Sequence, residues 1–188
     1  EVLQAVDMIA ADALIIHLNC LQELMQEDGD TDWRGLLAAI ETVCTCLDVP
    51  VIAKEVGMGI SAGTAKRLVN AGVSAIDVAG KGGTNFVEVE AGRTDDPRLR
   101  ALGEIFKDWG IATPDAVKAI RAELPDIPLI ASGGIRHGLD AAKAIKLGAN
   151  VIAQAGPILQ AATKSTQAVL DHFEFMESAL RIGLACSE

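Results

Sequence analysis

Two groups of residues have the types and spacing for chemistry. Directly after the apolar run that ends at Ile16, the chain places His17, Asn19, Gln22 and Glu23 within one short stretch. A donor- and acceptor-rich cluster at the end of a buried parallel strand is where an α/β fold puts its active site. Ordinary loop chemistry is the alternative, with His17 and Asn19 bonding their own loop and Gln22 and Glu23 opening a solvated helix. Glu23 offers the hard oxygen ligands that magnesium prefers, an ion commonly held by one or two carboxylates together with substrate phosphates. An isolated glutamate on a helix equally suits plain solvation.

The second group is spread along the chain. Ser132-Gly133-Gly134-Ile135-Arg136 offers backbone amides that no side chain obstructs, beside a fixed guanidinium charge, and Ala155-Gly156 adds a second small turn before a helix. Together they describe a phosphate cradle, unless the glycines serve only tight turns. Lys54 ends an apolar strand, so its ammonium projects into the same region to stabilise negative charge on a cofactor ring or substrate, or else snorkels to solvent. Thr84, after Gly82-Gly83, adds a hydroxyl and an amide suited to a cofactor.

Positioning these residues requires strands, and short apolar runs predict them at 13–18, 49–53, 74–78, 129–131 and 149–153. Residues 1–11 read as the end of a helix. Further helices are expected from a cap at Thr31 or Asp32 to near Asp48, from Ser61 to Ala71, from Thr113 to Leu124, from His137 to Leu147 and from Ile158 to Leu184. Segment 85–111 reads as an exposed inserted loop region with a short helix near Pro97 to Phe106. Strands alternating with helices imply a parallel sheet with right-handed crossovers, and the fold class predicted is α/β, a TIM (β/α)8 barrel. Only about five units are visible of the eight that a barrel needs. Residues 1–188 therefore read as one partial barrel domain, its C-terminal portion, with the first three units missing. On that reading the two glycine segments follow strands seven and eight, where barrels frequently bind phosphate. A doubly wound open sheet is the alternative architecture.

The totals narrow the partners. With 188 residues, half of them hydrophobic, the chain can bury a sizeable core. A formal charge of −10 argues against nucleic acid and against an anionic membrane surface, while leaving room for a small anionic ligand. No apolar run approaches the roughly 18 residues of a membrane span, and Glu1 begins in folded-looking sequence without a signal segment, so the expected location is cytoplasmic. Cys20, Cys44, Cys46 and Cys186 lack CxxC or metal-ligand spacing and are expected to be reduced thiols.

Taken together, His17-Leu18-Asn19 with Gln22-Glu23, Lys54-Glu55-Val56-Gly57, the loop from Asp77 to Thr84, Ser132 to Arg136 and Ala155-Gly156 resemble the type 2 isopentenyl diphosphate isomerases, FMN-dependent barrel enzymes. The resemblance covers nearly the whole chain, and the histidine-to-glutamate segment is its specific part. It implies interconversion of isopentenyl and dimethylallyl diphosphates in isoprenoid biosynthesis, a net 1,3-shift of a proton with no net redox change. It implies a flavoprotein that needs reduced FMN, NADPH as the usual reductant, and magnesium. By the same resemblance Gln22 contacts substrate, His17 and Asn19 line its pocket and Glu23 binds the magnesium that meets the diphosphate. Lys54 and Thr84 bind FMN, with Gly133, Gly134, Ile135, Arg136, Ala155 and Gly156 around its phosphate. The reduced flavin itself is the leading acid–base candidate, so no side chain is assigned as catalytic. A homo-oligomer, tetramer or octamer, is also implied.

Two departures stand out. Ala79 occupies an FMN-contact position where the family usually has a hydroxyl residue, so one hydrogen bond of about 0.5–1.5 kcal/mol is expected to be absent. The family's N-terminal basic residues for the diphosphate, its Ser-Met-Thr flavin loop and further FMN contacts on the first strands have no counterpart. The glycine-rich pair is also similar to that of the FMN-dependent α-hydroxy acid oxidases, but these would place a catalytic histidine within the region of 85–111, which contains none. A non-catalytic flavin- or phosphate-binding fragment is the third reading.

Overall fold

Strands form where Val, Ile and Ala run together between capped helices. The computed structural model describes residues 1–187. It opens with α1 (Val2–Met8), β1 (Leu14–His17), α2 (Cys20–Leu24), α3 (Leu36–Cys46), β2 (Val51–Lys54), α4 (Ala62–Asn70) and β3 (Ala75–Asp77). Two helices follow, α5 (Phe86–Arg93) and α6 (Pro97–Phe106), and then α7 (Thr113–Glu123) and β4 (Leu129–Ala131). The chain finishes with α8 (Gly138–Lys146), β5 (Val151–Ile152), α9 (Gly156–Ala162) and α10 (Thr166–Ala185).

All five strands lie parallel in one sheet whose spatial order is the chain order, β1-β2-β3-β4-β5. A doubly wound sheet reverses its strand order at a switch point. The sequential order found here has no reversal, which removes the open-sheet alternative. Register sets His17 beside Lys54, and Lys54 beside Asp77, so polar residues at three successive strand ends become neighbours. The core lies between sheet and helices. Ala53, Ile76, Leu129 and Ala131 from the strands pack with Leu68 of α4, Val117 and Ile120 of α7 and Ala141 of α8, all buried. At the two outer strands burial falls away: Ile15 of β1 is 56% exposed and Val151 of β5 is 52% exposed.

Segment 85–111 is not an open loop. It holds α5 and α6, which pack on each other, and a second small core of Met25, Met58 and Val87 ties them to α2. The bounds of α6 agree with expectation, because Asp96 caps it and Pro97 starts it. The sequence hid α5, whose charged face leaves only Val87 and Glu90 buried; Asn85 caps it by accepting from the amides of Val87 and Glu88. Two other expectations need correction. The helix expected from Thr31 or Asp32 begins after Gly35, which takes a left-handed φ of 76°, while the Asp32 carboxylate accepts from the Arg34 amide and guanidinium instead. The helical stretch expected over 158–184 is broken at Ser165, whose hydroxyl caps α10. All four cysteines are free, and no described helix is long and apolar enough to cross a membrane.

The terminal helix is fixed by a close crossing. Gly138, the first residue of α8, meets the backbone of α10 at the Met176 carbonyl and Leu180 amide, and Gly183 of α10 meets Ala142 of α8. Gly138→Ala forces a methyl into that backbone and should lower stability by about 1–3 kcal/mol, read as a lower denaturant midpoint at unchanged slope. Gly63→Ala in α4, where an added Cβ meets nothing within 4 Å, should instead hold or raise the midpoint.

Candidate active site

The C-terminal ends of β2, β3, β4 and β5 open into one cleft of about 770 Å³. Lys54 closes β2, Asp77 closes β3, Ser132 to Arg136 follow β4 and Ala153 to Pro157 follow β5. Among the residues singled out from sequence, Lys54, Ala79, Thr84, Gly133, Gly134, Ile135, Arg136, Ala155 and Gly156 all line this cleft. His17, Asn19, Gln22 and Glu23 do not. They gather one strand away at the end of β1, with His17 paired in register to Lys54.

The loop after β4 has the form of an anion cradle. Gly133 and Gly134 both take positive φ, 90° and 77°. A Cβ on Gly133 would fall onto the Gly80 carbonyl, and one on Gly134 would come within 2.7 Å of Gly82. The Thr113 hydroxyl shares its proton between the carbonyls of Ser132, at 2.9 Å, and Gly133, at 2.6 Å. With those carbonyls drawn into the protein, the amides of Gly133, Gly134 and Ile135 meet no acceptor among the described residues. Consecutive unpaired N–H groups in left-handed backbone form a concavity suited to an anion. Arg136 is anchored through Nη2 to the Gly82 carbonyl at 2.9 Å, and a Cβ on Gly156 would meet nothing within 4 Å, which leaves that backbone open to close approach.

Charged side chains gather at the ends of β2 and β3. Lys54 Nζ donates to the Glu55 carbonyl at 2.6 Å. The Glu55 side chain gathers its own loop, since Oε2 accepts from the amides of Val56, Gly57, Met58 and Gly59 at 2.6, 2.7, 2.6 and 3.1 Å. Burial pushes this carboxyl above its ordinary value, and the four amides oppose that push. Asp77 is only 6% exposed, and its Oδ1 accepts from the Ser132 hydroxyl at 2.6 Å and the Ala79 amide at 3.3 Å. Burial raises the Asp77 carboxyl, against the Ser132 hydrogen bond, the Lys54 charge and the Ala79 amide.

At the end of β1, partial burial and then the Lys54 charge hold the His17 imidazole below its usual range, with Glu23 opposing. Glu23 accepts from Asn19 Nδ2 through one carboxylate oxygen and from the Asp30 amide, at 3.1 Å, through the other. Gln22 is turned to Glu90: its Nε2 donates at 2.8 Å to the Glu90 carboxylate, which also accepts from Gln26 at 3.0 Å. The Gln22 bond holds the buried Glu90 carboxyl below the usual range despite its desolvation, with Gln26 and Arg93 adding to the effect. No trio of His, Cys, Asp or Glu among the described residues is arranged around a metal position. Glu23 is therefore in no such trio.

Several cleft residues carried no assignment from sequence. Asp77 is an acid inside an apolar strand, a signal that its burial explains. Gln154 and His172 also line the cleft, yet they stand 18 residues apart across a helix break, with no motif to join them.

A family model described as FMN-dependent dehydrogenase matches residues 16–187. A protein of Stutzerimonas stutzeri named isopentenyl-diphosphate delta-isomerase is 56% identical, with the match covering 100% of this chain and 54% of that protein. Proteins of the same name from Xanthobacter autotrophicus and a Synechococcus species are 55% and 52% identical, with coverage of 95% and 100% of this chain and 52% and 54% of theirs. The chain thus spans about half the length of the curated relatives it matches. Among solved structures, mandelate oxidase with (S)-4-hydroxymandelic acid superposes with a TM-score of 0.58 at 24% identity, over 79% of this chain and 36% of that one. A mandelate oxidase mutant with (S)-mandelic acid gives 0.67 at 19% identity, over 98% and 53%. These two likenesses concern the fold alone.

Lys54→Met should raise the Asp77 midpoint further, because an opposing positive charge is lost; carboxyl carbon NMR reads it, and an unmoved midpoint would show that the two groups are not coupled. Asp77 holds its proton more tightly folded than unfolded, so stability falls as pH rises from about 3.9, the unperturbed value, through the folded midpoint, and the variant should widen that window.

Proposed function

The chain belongs to the FMN-dependent dehydrogenase family, and from that premise we propose that it is the C-terminal part of a type 2 isopentenyl diphosphate isomerase. The whole protein interconverts isopentenyl and dimethylallyl diphosphates with reduced FMN and magnesium, in isoprenoid biosynthesis. One observation carries the reading: the residues expected around FMN share a single cleft, and its β4 loop presents three amides without acceptors. The flavin phosphate fits there. Gly133, Gly134, Ile135, Ala155 and Gly156 supply backbone donors, and Arg136 supplies charge. Lys54 sets a positive charge at the end of β2 for the flavin ring, and Thr84 adds its hydroxyl. Ala79 brings no hydroxyl, and its amide is already bonded to Asp77.

Bound reduced FMN supplies the acid–base group for the proton shift, with NADPH as the reductant that generates it. The chain's own residues position the substrate. Glu23, outside any trio of metal-ligating side chains among the described residues, suits magnesium as a site completed by water and by the substrate diphosphate. His17, the last residue of β1, and Asn19, the N-cap of α2, stand with it at this strand end, and Gln22 reaches substrate by leaving Glu90. An α-hydroxy acid oxidase is less well supported: the isomerase relatives are 50–56% identical, the mandelate oxidase structures 19–24%, and 85–111 has no histidine.

The same reading extends to the whole molecule. Three further βα units, from the length that the relatives have beyond this match, complete the (β/α)8 barrel and cover the exposed edges at Ile15 and Val151. Residues 1–188 then form one barrel portion with 85–111 as its helical excursion. A cytoplasmic homo-oligomer, tetramer or octamer, acting on a small diphosphate without nucleic acid or membrane, accords with the charge of −10.

The full-length protein should turn over isopentenyl diphosphate with reduced FMN and magnesium, and chelation of the metal should stop it. Flavin binding without turnover would favour the non-catalytic reading. Glu23→Gln should abolish magnesium-dependent turnover while FMN still binds, and unchanged activity would refute the role given to Glu23.

A further inference from the structure

We propose that Gln154 and His172 form a latch on the phosphate side of the cleft and set the protein's preference for a phosphorylated flavin over the unphosphorylated ring system. The proposal rests on the reading of the cleft as an FMN site. Both residues line it beside Arg136, Ala155 and Gly156. Gln154 follows β5, and its Nε2 donates to the Ile135 carbonyl at 2.9 Å. A carbonyl can only accept, so the orientation of this side-chain amide is settled, and its Oε1 is the atom that faces His172 Nε2 at 2.9 Å. That oxygen in turn requires the proton of His172 to sit on Nε2.

The consequence lies in the backbone. Thr113 holds the carbonyls of Ser132 and Gly133, and Gln154 holds that of Ile135. Three of the carbonyls around the cradle are therefore taken by side chains: the two held by Thr113 fix the planes of the Gly133 and Gly134 amides, and the one held by Gln154 fixes the plane of the Arg136 amide, which donates to Asp140 Oδ2 at 3.1 Å. The amides of Gly133, Gly134 and Ile135 are left as the free donors. His172 brings the terminal helix α10 into the same arrangement, by a route separate from the contact of Gly138 with that helix. Gln154 and His172 are positioning residues for the end of the cradle where Arg136 leaves it, and because Arg136 and the cradle meet the phosphate, the flavin ring is indifferent to the latch.

The test compares FMN with riboflavin, which has the ring but no phosphate, by quenching of flavin fluorescence on the full-length apoprotein. Gln154→Leu and His172→Phe, on different elements, should each lower FMN affinity about tenfold, the scale of one charge-assisted hydrogen bond, with riboflavin affinity unchanged. The double variant should lose no more of the FMN preference than either single one, since the two act as a unit. An unaltered FMN-to-riboflavin ratio in both variants, or parallel weakening of both flavins, overturns the latch. A wild-type protein that binds FMN no better than riboflavin overturns the phosphate site itself, and the latch with it.

Discussion

The cleft depends on how closely two backbone loops approach. The loop after β4 passes so near the loop after β3 that a methyl group on Gly133 would overlap the Gly80 carbonyl, and one on Gly134 would crowd Gly82. Only residues without a Cβ allow this approach, and the same residues tolerate the left-handed backbone that turns successive amides the same way. A cradle built this way needs few side chains of its own. Thr113 enters from α7 and holds two carbonyls, and Arg136 bonds across to Gly82, so the two loops behave as one surface.

Electrostatics divides the rest of the strand-end surface. Lys54 stands beside His17 on one side and Asp77 on the other. Burial depresses the imidazole and the Lys54 charge adds to it, whereas at Asp77 that charge works against the burial that raises the carboxyl. Glu55 is spent differently. Its carboxylate collects four backbone amides, which winds the loop from Val56 to Gly59 and sets the carbonyl to which Lys54 donates. A net acidic chain can thus keep a locally positive cleft, lined by Lys54, Arg136 and the free amides of the β4 loop.

A parallel sheet in sequential order curls naturally toward a closed barrel, and here both outer strands expose large apolar side chains. The second core of Met25, Met58 and Val87 joins α2, α5 and α6, and the bond from Gln22 to Glu90 spans the same elements. The helical excursion thereby reaches the β1 strand end, where Glu23 lies, although the two are far apart in the chain.

By itself the sequence determined the strands and most helices, because apolar runs and capping residues act over a few positions. Leu129–Ala131, the Ser61 cap and the bounds of α6 were all readable in this way, and so were the glycine segments and Lys54, whose types announce their chemistry. Tertiary structure alone decided which of these meet. It separated Gln22 and Glu23 from the cleft by one strand and turned Gln22 toward Glu90. It joined Asp77 to Ser132 and Gln154 to His172, and it folded α5 from a charged segment with little apolar pattern. The reason is physical: local propensity depends on neighbours in the chain, whereas hydrogen-bond partners and burial depend on register and helix docking, which set residues side by side regardless of the chain length between them.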